Sequence, residues 1–190
     1  MILGLTGTNA SGKGMFCSIL KEHYGFAVHS LADPLREEAA SLGIEPSTKN
    51  LIALGNEMRE KYGAGALAKL ILKRLPKGDV VLDSIRNPAE VAVLRELPDF
   101  VLIALDAPLK VRYEREHARG RVGNAKSFEE WLAIEKMEDE ENPRHLQVHL
   151  CMDLADYTLQ NDGTKNELKK KIDEVLQRIK QGMGQKGVAG

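Results

Sequence analysis

The chain alternates short, continuous apolar runs with longer stretches of helical periodicity. The apolar runs are Ile2-Leu3-Gly4-Leu5-Thr6, Phe26-Ala27-Val28-His29, Val80-Val81-Leu82, Phe100 to Leu105 and Tyr157-Thr158-Leu159. The Val80 and Phe100 runs are continuous and predict parallel strands covered on both faces, and the others read as shorter strands. Between them, helix starts are marked. Asp33-Pro34 and Asn87-Pro88 each offer a capping side chain followed by a proline in the first turn. Ser127-x-x-Glu130 and Thr164-x-x-Glu167 have capping-box spacing. The first apolar run is followed by an amphipathic stretch with Phe16, Ile19, Leu20 and Tyr24. Strands alternating with helices predict an α/β domain, a five-stranded parallel sheet joined by right-handed crossovers.

Two long helical insertions interrupt this rhythm. Residues 33–75 place Leu51, Leu54, Met58 and Tyr62 along one helix face, and residues 107–155 hold Phe128, Trp131, Leu132 and Glu135 at helical spacing. Ligands of open parallel sheets bind at the carboxyl ends of the strands, so insertions leaving those ends are expected to overhang a site there. The resulting expectation is one domain over residues 1–181, with two covers at 33–75 and 107–155. The Gly-rich residues 182–190 (GMGQKGVAG) read as a flexible tail.

Composition narrows the possible partners. At 190 residues the chain suits one well-buried domain. A net charge of -1 gives no bulk attraction to nucleic acid or to a membrane surface. No apolar run approaches the ~20 residues that span a bilayer, and the first strand begins at once, leaving no room for a signal peptide. Cys17 and Cys151 lack metal or CxxC spacing and read as reduced thiols of a cytoplasmic protein. No feature sets an oligomeric state.

The most informative segment is Gly7 to Gly14, GTNASGKG, directly after the first strand. It has the frame G-x-x-x-x-G-K of a phosphate-binding loop, in which glycines let successive backbone N–H groups turn inward on phosphate oxygens. The donor site is therefore expected to comprise Gly7, Asn9, Ala10, Ser11, Gly12, Lys13, Gly14 and Met15. The following helix points its positive end at the same anion, and Lys13 reaches the outer phosphates. The usual Ser or Thr after the lysine, a Mg²⁺ ligand, is replaced by Gly14. Mg²⁺ is then expected on phosphates, waters and carboxylates elsewhere.

Polar groups cluster just past the predicted strands. Ser30, Asp33 and Arg36 follow the second strand, and Asp83 and Arg86 follow the third. An apolar strand ending in Asp beside a phosphate loop is Walker-B-like, so Asp83, with Asp33, is expected to hold Mg²⁺ through water. Arg36 and Arg86 are suited to a phosphate dianion facing the loop, with Arg59 as a further contact. Arg112, Arg115, Arg119 and Arg121 form a basic cluster, in which Arg115 and Arg119 share one helix face. Arginines on a closing cover neutralise a migrating phosphoryl group.

These motifs together resemble the nucleoside monophosphate kinase family of P-loop kinases, to which adenylate kinase belongs. In that family the loop commonly ends G-K-G-T, so Gly14 fits and Met15 departs. Its acceptor motif G-D-x-L-R is matched by Ala32-Asp33-Pro34-Leu35-Arg36. Its D-G-F-P-R element resembles Asp83-Ser84-Ile85-Arg86, one residue shorter, and the R-x-x-x-R of its lid matches Arg115 to Arg119. The wording is also similar to phage-type deoxynucleoside monophosphate kinases and to kinase-like domains found beside deoxycytidylate deaminases, although no deaminase signature is present. The resemblance implies a P-loop NTPase fold and an ATP- and Mg²⁺-dependent kinase. Its small nucleotide acceptor would be held by Ser30, Asp33, Arg36, Arg59 and Arg86, with Lys13, Arg86, Arg115 and Arg119 acting on the transferred group. Two rivals remain: a kinase for another small molecule, such as dephospho-coenzyme A, with Asp33 as base, and a non-catalytic nucleotide sensor.

Other features read as structural. His145 and His149, with Cys151 and Asp153, could bind zinc by spacing, but read better as the polar face of a helix whose apolar face carries Leu146 and Leu150. The acid-rich Glu135 to Glu141 reads as a solvated helix face and Trp131 as packing.

Overall fold

A computed structural model of the chain describes residues 1–119, 127–137 and 141–186. In order, its elements are β1 (Ile2–Thr6), α1 (Lys13–Tyr24), β2 (Ala27–Ser30), α2 (Asp33–Ser41), α3 (Thr48–Tyr62), α4 (Ala66–Leu72), β3 (Val80–Asp83) and α5 (Pro88–Leu94). They continue as β4 (Phe100–Asp106), α6 (Leu109–Arg119), α7 (Phe128–Lys136), α8 (Val148–Asp153), β5 (Tyr157–Gln160) and α9 (Lys165–Lys186). The five strands form one parallel sheet in the order β2-β3-β1-β4-β5.

Continuous apolar strands follow from helices on both faces. Leu3, Leu5, Val81, Ile103 and Leu105 pack against Phe16, Ile19 and Leu20 of α1 and Leu168, Ile172 and Leu176 of α9. On the opposite face, Val80, Leu82 and Leu102 meet Leu35 of α2, Leu67 and Ile71 of α4, Val91 and Leu94 of α5, and Cys151 of α8. Each fully buried Leu or Ile contributes about 1.5–3 kcal/mol relative to exposure. Strands β3 and β2 lie to one side of β1 and β4 and β5 to the other, so the loop after β1 opens into the crevice where the strand order reverses. Among the described residues, no helix is long and apolar enough to cross a membrane.

Several local expectations change. At α2 the position before the helix is Ala32, without a side-chain cap; Asp33 is already helical and turns its carboxylate back to the Ser30 N–H. The Asn87-Pro88 start is as read, and Glu90 completes a capping box. Helix α3 is rotated from the expected face, burying Ile52, Leu54, Gly55 and Arg59 while Tyr62 is 60% exposed. The two histidines do not share a helix face, because α8 begins only at Val148. His145 lies before it, beside Glu60, and Leu146 is buried while Leu150 is exposed. No metal-holding cluster of His, Cys, Asp and Glu occurs among the described residues. Glu135 is not on a solvated face: it pairs with Arg112, whose guanidinium also lies over the buried Trp131 ring. Helix α9 continues through Gly182 to Lys186, into the segment read as a tail.

Candidate phosphate-loop site

The loop between β1 and α1 owes its shape to glycine at two points. Gly7 has φ 136°, and a Cβ there would stand 1.9 Å from the Leu105 carbonyl oxygen of the neighbouring strand. Gly12 has φ 105°, and a Cβ there would stand 2.2 Å from Asn161 Nδ2. Both conformations favour glycine on backbone grounds as well. Between them Ala10 is left-handed, with φ 57°. The start of α1 has no side-chain cap and no acid in its first turn. Its leading N–H groups and the positive helix end are left for an anion.

Side chains from distant parts of the chain hold this loop. Thr8 Oγ1 donates to Asp106 Oδ1 at 2.7 Å, tying the loop to the end of β4. Asn161, buried after β5, donates its amide to the Ser11 carbonyl at 2.7 Å. Arg112 donates to the Asn9 carbonyl at 3.3 Å and to the Ala107 carbonyl at 3.1 Å. Its pairing with Glu135 links the loop to α7. Lys13 Nζ folds over the loop and donates to the carbonyls of Gly7 and Thr8 at 2.7 and 2.8 Å. Gly14 and Met15 are exposed at the rim.

None of Asn161, Arg112, Thr8 and Asp106 was assigned to the site from sequence. The signals available were weak: Asn161 directly follows the last strand, and Arg112 stands in the basic cluster, indistinguishable there from its neighbours. Asn161→Ala is expected to lower unfolding free energy by about 1–3 kcal/mol, because the buried Ser11 carbonyl loses its shorter hydrogen bond and is left with the 3.4 Å contact from Arg115. Urea denaturation monitored by circular dichroism measures this, and an unchanged midpoint would remove Asn161 from the loop's support.

Two hollows flank the loop. The first, about 220 Å³, is lined by Asn9 of the loop, Arg36, Ser84 and Arg86, with Ser47 and Thr48 at the start of α3. Aliphatic side chains share the lining with these polar groups: Leu31, Leu35, Leu51, Ile52, Leu67 and Leu146. The structure thus brings Arg36 and Arg86 together, although they come from different strand ends. Arg36 is half exposed and paired with Asp33 at 2.8 Å. Arg86 has its backbone fixed at both ends, its N–H donating to Glu90 at 2.9 Å and its carbonyl accepting from the Gln147 N–H at 2.8 Å. Ser30 is engaged in the turn: its hydroxyl reaches Ser84 Oγ at 3.0 Å and accepts from the Ala32 N–H. Arg59 touches this hollow but is only 1% exposed, and its guanidinium is committed to Glu90. The side chain expected to grip the phosphate is held here in an internal ion pair, as a guanidinium this deeply buried needs a carboxylate beside it.

The second hollow, on the far side of Gly12, is lined by Met15, Arg115, Ala118, Asn161, Gly163, Lys165 and Leu168. Arg115 reaches the loop, donating to the Ser11 carbonyl at 3.4 Å. Arg119 ends α6, but its side chain lies outside the described residues, as does Arg121.

Asp83 ends β3 half buried, with Oδ1 accepting the Ser84 N–H at 2.6 Å. Ser84 takes the left-handed conformation that turns the chain sharply there. The neighbouring Cys17 thiol is pushed up to about 12, chiefly by burial and further by Asp83, while Lys13 opposes the shift. It is a neutral thiol at physiological pH and not a nucleophile.

Comparison with known proteins bears on this geometry. Residues 6–132 match the family model described as an AAA domain. The chain is 35% identical to a UPF0200 protein of Pyrococcus horikoshii, with 94% of this chain and 97% of that protein aligned. It is equally similar, at 35% with the same coverage, to a UPF0200 protein of Sulfurisphaera tokodaii. Among solved structures it resembles a shikimate kinase from Aquifex aeolicus (TM-score 0.57, 17% identity, 96% and 99% of the two chains). It also resembles a gluconokinase from Sinorhizobium meliloti (TM-score 0.59, 16% identity, 97% and 95%). At these identities the structural likeness speaks to fold alone. The chain belongs to the UPF0200 family, and its fold is that of a P-loop kinase.

Proposed function

We propose that the protein is an ATP-dependent phosphotransferase whose acceptor is a nucleoside or deoxynucleoside monophosphate, converted to the diphosphate in the cytoplasm. The observation that carries this reading is the hollow beside the loop, where Arg36 and Arg86 share a cavity with six aliphatic side chains. Two guanidinium groups suit a phosphate dianion. The aliphatic side chains suit the flat apolar faces of a base, and Asn9, Ser47, Thr48 and Ser84 offer polar partners to its edge and sugar.

In this reading ATP phosphates lie on the Gly7–Gly14 backbone, with Lys13 exchanging its loop carbonyls for the outer phosphates. The acceptor's phosphate oxygen attacks the γ-phosphorus in line as the bond to the β,γ-bridging oxygen breaks, and ADP leaves. The nucleophile is already anionic, so no general base is required. Asp33 supports this view: its two oxygens are engaged by the Ser30 N–H and Arg36, which does not suit a base for a hydroxyl acceptor. Asp83, at the end of β3 with Oδ1 accepting the Ser84 N–H, is suited to hold Mg²⁺ through water, and Asp33, whose oxygens take the Ser30 N–H and Arg36, less so. When bound, Mg²⁺ supplies charge neutralisation to the phosphates. Arg115 and Arg119 come from the second insertion and would neutralise charge on the migrating group.

The test is ADP release over many turnovers, with a panel of ribo- and deoxyribonucleoside monophosphates plus dephospho-coenzyme A. Turnover with one or a few monophosphates is expected. Turnover only with dephospho-coenzyme A would move the acceptor to another class, and nucleotide binding without turnover would make the protein a sensor.

A further inference from the structure

Glu90 is fully buried beside the acceptor hollow, and nothing in the proposed chemistry uses it. Its Oε2 accepts two backbone N–H groups, from Arg86 at 2.9 Å and Asn87 at 3.1 Å. Its Oε1 receives Arg59 of α3 through Nε at 2.9 Å and Nη2 at 2.8 Å. A capping-box glutamate needs only to satisfy the N–H of the cap residue. This one reaches a residue further, to Arg86, and also takes a guanidinium from the first insertion.

The surroundings are built for that guanidinium. Asn56 Oδ1 accepts from Arg59 Nη1 at 3.4 Å, and a Cβ on Gly55 would stand 3.0 Å from the same nitrogen. A buried ion pair is a poor device for stability, since an apolar pair of similar volume often serves as well or better. What the carboxylate does achieve is a connection. The backbone of Arg86, whose side chain lines the hollow, and helix α3, which forms the hollow's other wall, are held by one group.

We propose that Glu90 is a positioning residue for the acceptor site, holding the Arg86 backbone and helix α3 on a single carboxylate so that the aim of the Arg86 guanidinium depends on the docking of α3. The inference rests on Arg86 being the acceptor clamp. Calorimetric titration of AMP, CMP, GMP, UMP and their deoxy counterparts first identifies the tightest monophosphate. That monophosphate and a non-hydrolysable ATP analogue are then titrated into wild type, Glu90→Gln, Arg86→Ala and the double variant. Glu90→Gln is expected to weaken the monophosphate about tenfold with little change for the ATP analogue, and to add nothing further in the Arg86→Ala background, as residues acting through one another do.

Arg59→Met combined with Glu90→Gln replaces the ion pair with neutral groups and serves where Glu90→Gln alone does not fold; the same selective, non-additive loss is expected. Equal losses for both ligands, additive losses with Arg86→Ala, unchanged monophosphate binding in a folded variant, or failure of both Glu90 variants to fold would each overturn the proposal. If Arg86→Ala itself leaves monophosphate binding unchanged, the acceptor-site reading fails and this inference falls with it.

Discussion

Lys13→Ala is expected to lower kcat by about 10²–10³-fold, the loss typical of removing one preorganised group that stabilises transition-state charge. Lys13 lies over the loop backbone, bonded to the carbonyls of Gly7 and Thr8. Its reach over the loop leaves the ammonium poised to move onto phosphate oxygens as negative charge shifts during transfer. Binding energy used in this way falls on kcat more than on the KM for ATP. Gly7 and Thr8 are buried, so loss of the lysine also removes a donor from their carbonyls and is expected to cost some stability as well. Single-turnover rates and thermal melting separate the effects. A folded variant with unchanged kcat would remove the lysine from the chemistry.

Arg86→Ala is expected to weaken monophosphate binding by about 2–5 kcal/mol, or roughly 30-fold or more, while ATP affinity holds. The selectivity follows from placement: Arg86 lines the hollow with Arg36, across the loop from the hollow that Arg115 shares with Met15. The fold should survive, because what anchors position 86 is its backbone, through Glu90 and Gln147. Calorimetry with each ligand decides. A fall in ATP affinity with the monophosphate unchanged would place Arg86 on the donor side and invert the arrangement.

What could be read from sequence was local. The strand cores from Ile2, Val80 and Phe100 were legible because burial on both faces leaves an unbroken apolar run. The Asn87–Glu90 cap was legible because its partners are three residues apart. The Gly7–Lys13 loop stood out because its fold needs particular residues at fixed short spacing. Glycine at 7 is demanded by a backbone approach that the motif encodes without reference to β4, even though the atom it avoids belongs to Leu105. Asp83 and Arg86 were noticed for a similar reason, since strand ends in parallel sheets lie at the ligand side.

What the sequence by itself determined, then, was the α/β alternation, the phosphate loop and the candidates at the strand ends. Tertiary structure decided which charges meet. Arg59 and Arg86 are the same residue type in polar surroundings, yet one is sealed against Glu90 and the other lines the hollow. The pattern around α3 suggested a face through Tyr62, but docking turned Gly55 and Arg59 inward because a carboxylate from α5 waits there. Glu135 looked like a solvated charge and Arg112 like one more arginine of the basic cluster until α7 folded onto α6. Asn161 reaches Ser11 across 150 residues. A periodicity records how apolar a face is, while the cost of burying a charge is offset only by a particular partner, and that partner is chosen by the packing of elements far apart in the chain.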